Sequence, residues 1–191
     1  SHHHRHHWPV IDEVHRATVK PRTVVPGTPP PSLPPPLAIA GSQSAAALIR
    51  QRRSAQEFDG VTVASADTLW RLLDATLPRT GLPPFDCWSA LPRIHLLVFL
   101  HRVEGLAPGL LFFPRHSNVV DSIRPLMRAD FAWTQEQGPE HLQLYRLFTG
   151  DCRQLATTIS CHQDIAGDSV LSVGMLADFD QTLAEGSWLY R

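Results

Sequence analysis

Apolar and polar positions along the 191-residue chain fall into blocks whose spacing predicts a mixture of helices and strands. The strongest block is Ile94 to Val103, a near-continuous apolar run. Such a run predicts an inner strand buried on both faces, because a strand with one wet face would alternate. Glu104 to Gly109 reads as a turn and Leu110 to Phe113 as the strand that pairs back, which makes a hairpin. Upstream, Leu69, Trp70, Leu72, Leu73 and Leu77 recur at helical spacing. They predict a helix from Ala66 to Leu77, with Ser65 as N-cap, Asp67 in its first turn and Pro78 as its stop. A shorter helix spans Ser44 to Arg52 and runs into a Phe58-Asp59-Gly60 turn.

Downstream, Val119 to Arg128 reads as a helix interrupted by Pro125, residues 130–140 as a polar loop, and Leu142 to Phe148 as a strand. Asp151 with Gln154 three residues later has the spacing of a capping box and predicts a helix reaching about Gln163. Ser169 to Ala177 reads as a buried strand and Asp180 to Glu185 as a short helix start. Hairpin strands interleaved with separate helices give an α+β class, a mostly antiparallel central sheet flanked by helices. The N-terminal 37 residues differ in kind. A His-rich start (residues 1–7) has the composition of a tag or polar linker. Trp8 to Val14 reads as a short ordered piece, and Pro21 to Pro36 is dense in proline, an extended linker or a strap lying over a surface. The expected organisation is therefore a tail or inter-domain linker over 1–37 and a domain over 38–191.

Composition narrows the function classes. With 43% hydrophobic and 18% charged residues the chain is globular in character. A net charge of −1 supplies no field for nucleic acid or an anionic membrane. Three cysteines without a Cys-x-x-Cys spacing argue against a disulfide framework and a structural zinc site. No apolar run has membrane-spanning length and no signal core precedes the domain, so a cytoplasmic protein is expected.

The most chemical segment is Arg52-Arg53-Ser54. Two planar, permanently charged forks beside a hydroxyl suit a phosphate and the polar edge of a ring, although the same triplet also occurs on solvated helix ends. His95 and His101 share one strand face and read as satisfied core histidines rather than a catalytic pair. Adjacent Cys161 and His162 on one helix would point about 100° apart, too divergent for a nucleophile and its base. Asp164 and Asp168 read as helix-end caps rather than cation ligands. Trp70, Trp88, Trp133 and Trp188 read as packing. No residue stands out as a general base.

Four segments in order bring a family into view: Arg52-Arg53-Ser54 with Phe58, Val103-Glu104-Gly105-Leu106-Ala107-Pro108-Gly109-Leu110 after a strand, Ser160-Cys161-His162-Gln163-Asp164-Ile165-Ala166, and Trp188-Leu189-Tyr190-Arg191. Over about residues 42–191 the chain resembles the FMN-dependent nitroreductases, nearest their azoline-dehydrogenase-like and tandem-domain branch. The resemblance implies a nitroreductase-like fold, bound FMN, a homodimer or a pseudo-dimer with a second nitroreductase-like domain, and hydride transfer with a nicotinamide as one possible donor. It places Arg52 on the flavin phosphate, with Arg53 and Ser54 towards the ribityl chain and ring. Gln56 falls where the family carries a cation that tunes the flavin, and Ser89 falls in a degenerate version of its ring-contacting segment. The family's long helix after Tyr190-Arg191 and its following strand-loop are absent, so a C-terminally incomplete domain is expected. Two functions remain open on this resemblance: a flavin-dependent oxidoreductase of unknown substrate, and a non-catalytic nitroreductase-like domain that needs a partner chain. A third class is a peptide-binding role acting through the proline strap.

Overall fold

The computed structural model describes residues 8–19, 32–38, 41, 43–85, 91–177, 179–180 and 183. The expected contacts of Ser89, Trp88 and the terminal Trp188-Leu189-Tyr190-Arg191 lie outside the described residues, as does most of the Asp180–Glu185 helix. The elements are α1 (Pro9–Thr18), α2 (Ala45–Gln51), α3 (Ala66–Ala75), β1 (Ile94–Leu100), β2 (Gly109–Phe113), α4 (Val120–Ile123), β3 (Thr134–Gln135), β4 (Tyr145–Thr149), α5 (Arg153–Ile159), α6 (Ile165–Asp168) and β5 (Leu171–Ala177). The strands form one sheet in the order β3-β4-β2-β1-β5, with antiparallel neighbours throughout. This is the α+β architecture that the hydrophobic pattern predicts.

The sheet has a layer on each face, which explains the unbroken apolar run of β1. Val98 and Leu100 of β1 and Leu111 and Phe113 of β2 face α3, where they pack with Leu69, Trp70 and Leu73. Phe99, Leu110 and Phe112 face the other way, onto Val119, Leu147, Cys152, Ala156 of α5 and Ala166 of α6. Each fully buried side chain of this size contributes about 1.5–3 kcal/mol, so the two-faced hairpin is the energetic centre of the fold. Its connection needs two glycines. Gly105 turns with φ 75°, a conformation that costs glycine least. A Cβ on Gly109 would lie 2.1 Å from the Phe148 carbonyl oxygen of β4.

Several expectations are corrected. α3 ends at Ala75, two residues early, and Leu72 of its apolar stripe is exposed. The helix around Val119 is broken into tight turns on either side of α4, with Pro125 inside the second. The 130–140 loop contains β3. The capping box does not form: Asp151 Oδ1 accepts from the Arg153 amide at 2.9 Å, and α5 starts after Cys152 without a side-chain cap. α5 also stops at Ile159, and Cys161 and His162 both take positive φ, 57° and 59°. They therefore sit on a left-handed turn, not on a helix. β5 is an edge strand, paired only to β1 among the described residues, with Val173 and Met175 exposed. Those two pair with Val98 and Leu96, which puts them on the α3 face, at the end of the sheet where Ile94 is also exposed.

Candidate functional site

The segment bearing Arg52, Arg53, Ser54 and Gln56 follows directly from local chemistry. Ser44 caps α2 by accepting from the Ala47 amide at 3.2 Å. The helix ends at Arg52, whose backbone turns extended (ψ 129°) while its amide still donates to Leu48. Arg53 then folds back. Its Nη1 donates to the carbonyls of Arg50 (2.8 Å) and Arg52 (3.0 Å), so its charge closes the negative end of α2. The Arg52 guanidinium makes no hydrogen bond or ion pair among the described residues, and Arg52, Ser54 and Gln56 are all exposed. α2 has no buried residue, and Leu48, Ile49 and Phe58 expose apolar surface beside the arginines.

This excursion is anchored on its C-terminal side by the expected turn. Asp59 Oδ1 accepts from the amides of Val61 and Thr62, both at 2.9 Å, and its other oxygen accepts from the Thr62 hydroxyl. The Thr62 hydroxyl first, then the two amides, hold the Asp59 carboxyl down at about 2. Gly60 supplies the positive φ of 69°. Arg102 ties the turn to the body, donating from Nε to the Thr62 carbonyl at 3.0 Å and from Nη2 to the Asp168 carbonyl. Ala64 continues beside the β1–β2 turn, donating to the Arg102 carbonyl at 3.1 Å and accepting from Glu104 at 2.8 Å.

On its N-terminal side the excursion is anchored by a group that sequence reasoning did not single out. Asp74 is 1% exposed although it lies on a helix, and it pairs with Arg79 (8% exposed) at 2.5 Å. His141 Nε2 lies 2.8 Å from the same carboxylate oxygen. The second oxygen accepts from the Leu37 amide at 2.8 Å. Burial pushes the Asp74 carboxyl up, but Arg79, the Leu37 amide and His141 outweigh it and leave it below the usual range.

The remaining candidates resolve as structural groups. His95 is 2% exposed and its Nδ1 accepts from the Arg115 amide at 3.1 Å. The His116 ring stands edge-on to it at 5.1 Å between centroids. His101 is buried with Nε2 3.0 Å from the Ala166 carbonyl, but its buried Nδ1 has no hydrogen-bond partner among the described residues, so the expectation of a satisfied core histidine holds for one ring nitrogen only. Burial is the main cause of lowered pKa in all three histidines, and in His95 the value is brought to about 4. Trp133 packs against Phe112 and Tyr145. Asp164 makes no capping hydrogen bond at the start of α6, which corrects that expectation. Both it and Asp168 line a cleft of about 310 Å³ with Asp151, Arg153, Gln154 and Thr157. No group of three or more His, Cys, Asp or Glu among the described residues is placed to hold a metal ion.

The fold is similar to a crystal structure from Anabaena variabilis of a protein provisionally assigned as a nitroreductase. The TM-score is 0.54 and the identity 17%, over 75% of this chain and 26% of that one. At that identity the likeness establishes a nitroreductase-like fold. The chain spans about a quarter of that protein's length. No protein-family model matches the sequence, and no curated protein matches it. No helix among the described residues is long and apolar enough to cross a membrane.

Proposed function

We propose that this chain, with residues 38–191 as its domain, is one half of an FMN-dependent oxidoreductase unit, its flavin face completed by a second nitroreductase-like domain or a second copy. The observation that carries the reading is the excursion on this nitroreductase-like fold that presents Arg52, Arg53 and Ser54 in succession. The donor set fits the phosphate end of a flavin mononucleotide: one guanidinium and one hydroxyl stand exposed beside each other, and charge-assisted bonds to phosphate are among the strongest in proteins. Enclosure does not fit on this chain alone. The segment does not line the cleft beside α5 and α6, whose polar and charged side chains offer an isoalloxazine ring no apolar wall. Bound flavin supplies hydride acceptance and donation; this chain's residues supply charge, and the apolar Leu48, Ile49 and Phe58 supply one side of the contact. A reduced nicotinamide is the electron donor in this reading.

The exposed Gln56 favours a second reading. A neutral amide stabilises a reduced, anionic flavin less than a cation does, which suits a non-catalytic domain that lends its surface to a partner. One visible spectrum separates the two. After incubation with FMN and desalting, a retained stoichiometric flavin band that is lost in the Arg52→Ala/Ser54→Ala variant supports the oxidoreductase unit. A colourless wild-type chain, at concentrations where it self-associates, rules out a flavin site completed by a second copy and favours the non-catalytic domain.

A further inference from the structure

Among the described residues before α2, two leucines of the 32–38 stretch lie against the body. Every one of these residues is exposed except Leu33 and Leu37, which pack against the cluster of Leu69, Trp70, Leu73 and Leu77. Between the two leucines the backbone belongs to no helix or strand, and three successive prolines favour an extended course. Pro34, Pro35 and Pro36 carry no amide hydrogen, so the first donor after Leu33 is the Leu37 amide. Two polar contacts read this stretch, and both come from a single buried ion pair. Asp74 accepts from the Leu37 amide at 2.8 Å, and Arg79 Nε donates to the Pro34 carbonyl at 3.0 Å. The pair is itself fixed: Arg79 Nη2 holds Asp74 Oδ1 at 2.5 Å, its Nη1 holds the Asp74 carbonyl at 3.0 Å, and His141 Nε2 lies 2.8 Å from the same Oδ1.

With residues 33–37 seated, this donor and acceptor are nine-tenths buried and flanked by apolar surface, the kind of backbone-reading contact by which an extended peptide is recognised. We propose that the face formed by α3, Asp74 and Arg79 recognises extended, proline-rich segments. Such a segment carries leucines four positions apart, a free carbonyl one residue after the first and an amide at the second. In this chain the groove is filled in cis by residues 33–37, which act as a releasable intramolecular ligand. A proline-rich stretch is already stiff, so docking costs it little conformational entropy. Tethering supplies an effective concentration of order mM, enough to keep a groove of modest affinity occupied. The competing partner is a free proline-rich segment of the same pattern.

The test uses the full chain with Leu33→Asp and Leu37→Asp, which disables the tethered ligand and leaves the groove intact. A labelled peptide of residues 32–38 is titrated by fluorescence anisotropy. Saturable binding to this variant, at least about tenfold weaker binding to the wild-type chain, and at least about tenfold weaker binding of a peptide carrying Leu37→Pro are expected. No saturation up to about 1 mM by a variant that circular dichroism shows to be folded overturns the proposal. So does equal binding to wild type, or equal binding of the two peptides. If the variant does not fold, hydrogen exchange of the wild-type chain decides. A Leu37 amide that opens at least about tenfold more often than the amides of β1, with little denaturant dependence, supports a releasable ligand. Exchange of Leu37 only together with β1, by global unfolding, overturns it.

Discussion

Acidification from pH 7 to 4.5 is expected to destabilise this protein steeply, and His95 is the main reason. The side chain lies between the sheet and the Arg115–His116 corner, 2% exposed. Burial first, then the neighbouring His116, Arg115 and Arg93 charges, lower its pKa from 6.5 to about 4. The unfolded chain therefore binds a proton on this residue over an interval where the native chain does not, and stability must fall as pH falls through that interval. Each pH unit of separation is worth about 1.4 kcal/mol, so the interval from 6.5 down to about 4 amounts to about 3 kcal/mol. His101 and His116 are shifted in the same direction and steepen the loss. Against a total stability of about 5–15 kcal/mol for a domain, that loss is decisive. Carboxylates act in a separate window. Asp74 is held below the usual range and Asp151 at about 2, chiefly by Arg153, so their contributions persist down to about pH 4 and disappear below it.

The assay is urea denaturation followed by tryptophan fluorescence at half-unit steps from pH 7.5 to 4.5, for wild type and His95→Gln. Glutamine keeps an acceptor for the Arg115 amide and does not titrate. The wild-type unfolding free energy is expected to drop by about 3 kcal/mol across the range, and the drop in the variant to be smaller by most of that amount. A wild-type loss under about 1 kcal/mol, or an equal slope in the variant, refutes the assignment of the proton to His95.

Removing the Asp74 carboxylate with Asp74→Ala leaves Arg79 buried without its partner and the Leu37 amide without its acceptor. A loss of about 3–5 kcal/mol in denaturation is expected, and a loss under about 1 would show the network to be replaceable. Gly109→Ala places a methyl against the Phe148 carbonyl, a backbone atom with nowhere to swing. It should cost at least about 1–3 kcal/mol and weaken amide protection in β2 and β4, whereas Gly41→Ala, with open space around it and no positive φ, should leave those strands protected. Cysteine alkylation read by mass spectrometry should modify exposed Cys161 quickly. Cys152 should react only on unfolding, because burial first and Asp151 second raise its thiol pKa. Comparable rates at the two sites would contradict the placement of Cys152 under α5.

What was legible in the sequence was whatever depended on neighbours in the chain. The apolar run from Ile94 announced a strand covered on both faces, which forms over Ile94–Leu100 rather than on to Val103, and α3 on one face and α5 and α6 on the other supply the covers. Ser65 and the Asp59-Gly60 turn were readable because a cap or tight turn is satisfied within three residues, whereas Ser44, read as the first residue of its helix, is in fact its cap. The failures share a cause. Asp151 met the spacing rule for a capping box, but the adjacent Arg153 offers the carboxylate both an amide and a guanidinium, and the nearer, charged partner wins. Asp74 reads in sequence as an ordinary polar position on a helix. Its burial rests on Arg79, His141 and Leu37, which are 5, 67 and 37 positions away, and no periodicity reports such a convergence.

The candidate site divides along the same line. That Arg52, Arg53 and Ser54 stand together follows from their adjacency, and that Arg53 is engaged by the carbonyls of α2 follows from the helix ending where it does. The described contacts that flank the excursion are not local at all. It hangs between Leu37, gripped by Asp74, and Thr62, gripped by Arg102, with α2 exposed between the two grips. A disturbance at either grip must therefore reach the arginines without touching them. Asp74→Ala should accordingly weaken any flavin retention by the wild-type chain along with its stability. Arg52→Ala, at an exposed position with no partner among the described residues, should weaken retention while leaving the denaturation midpoint in place. If Arg52→Ala instead lowered the midpoint as much as Asp74→Ala does, the guanidinium would be a structural group, and the segment would lose its standing as a phosphate site.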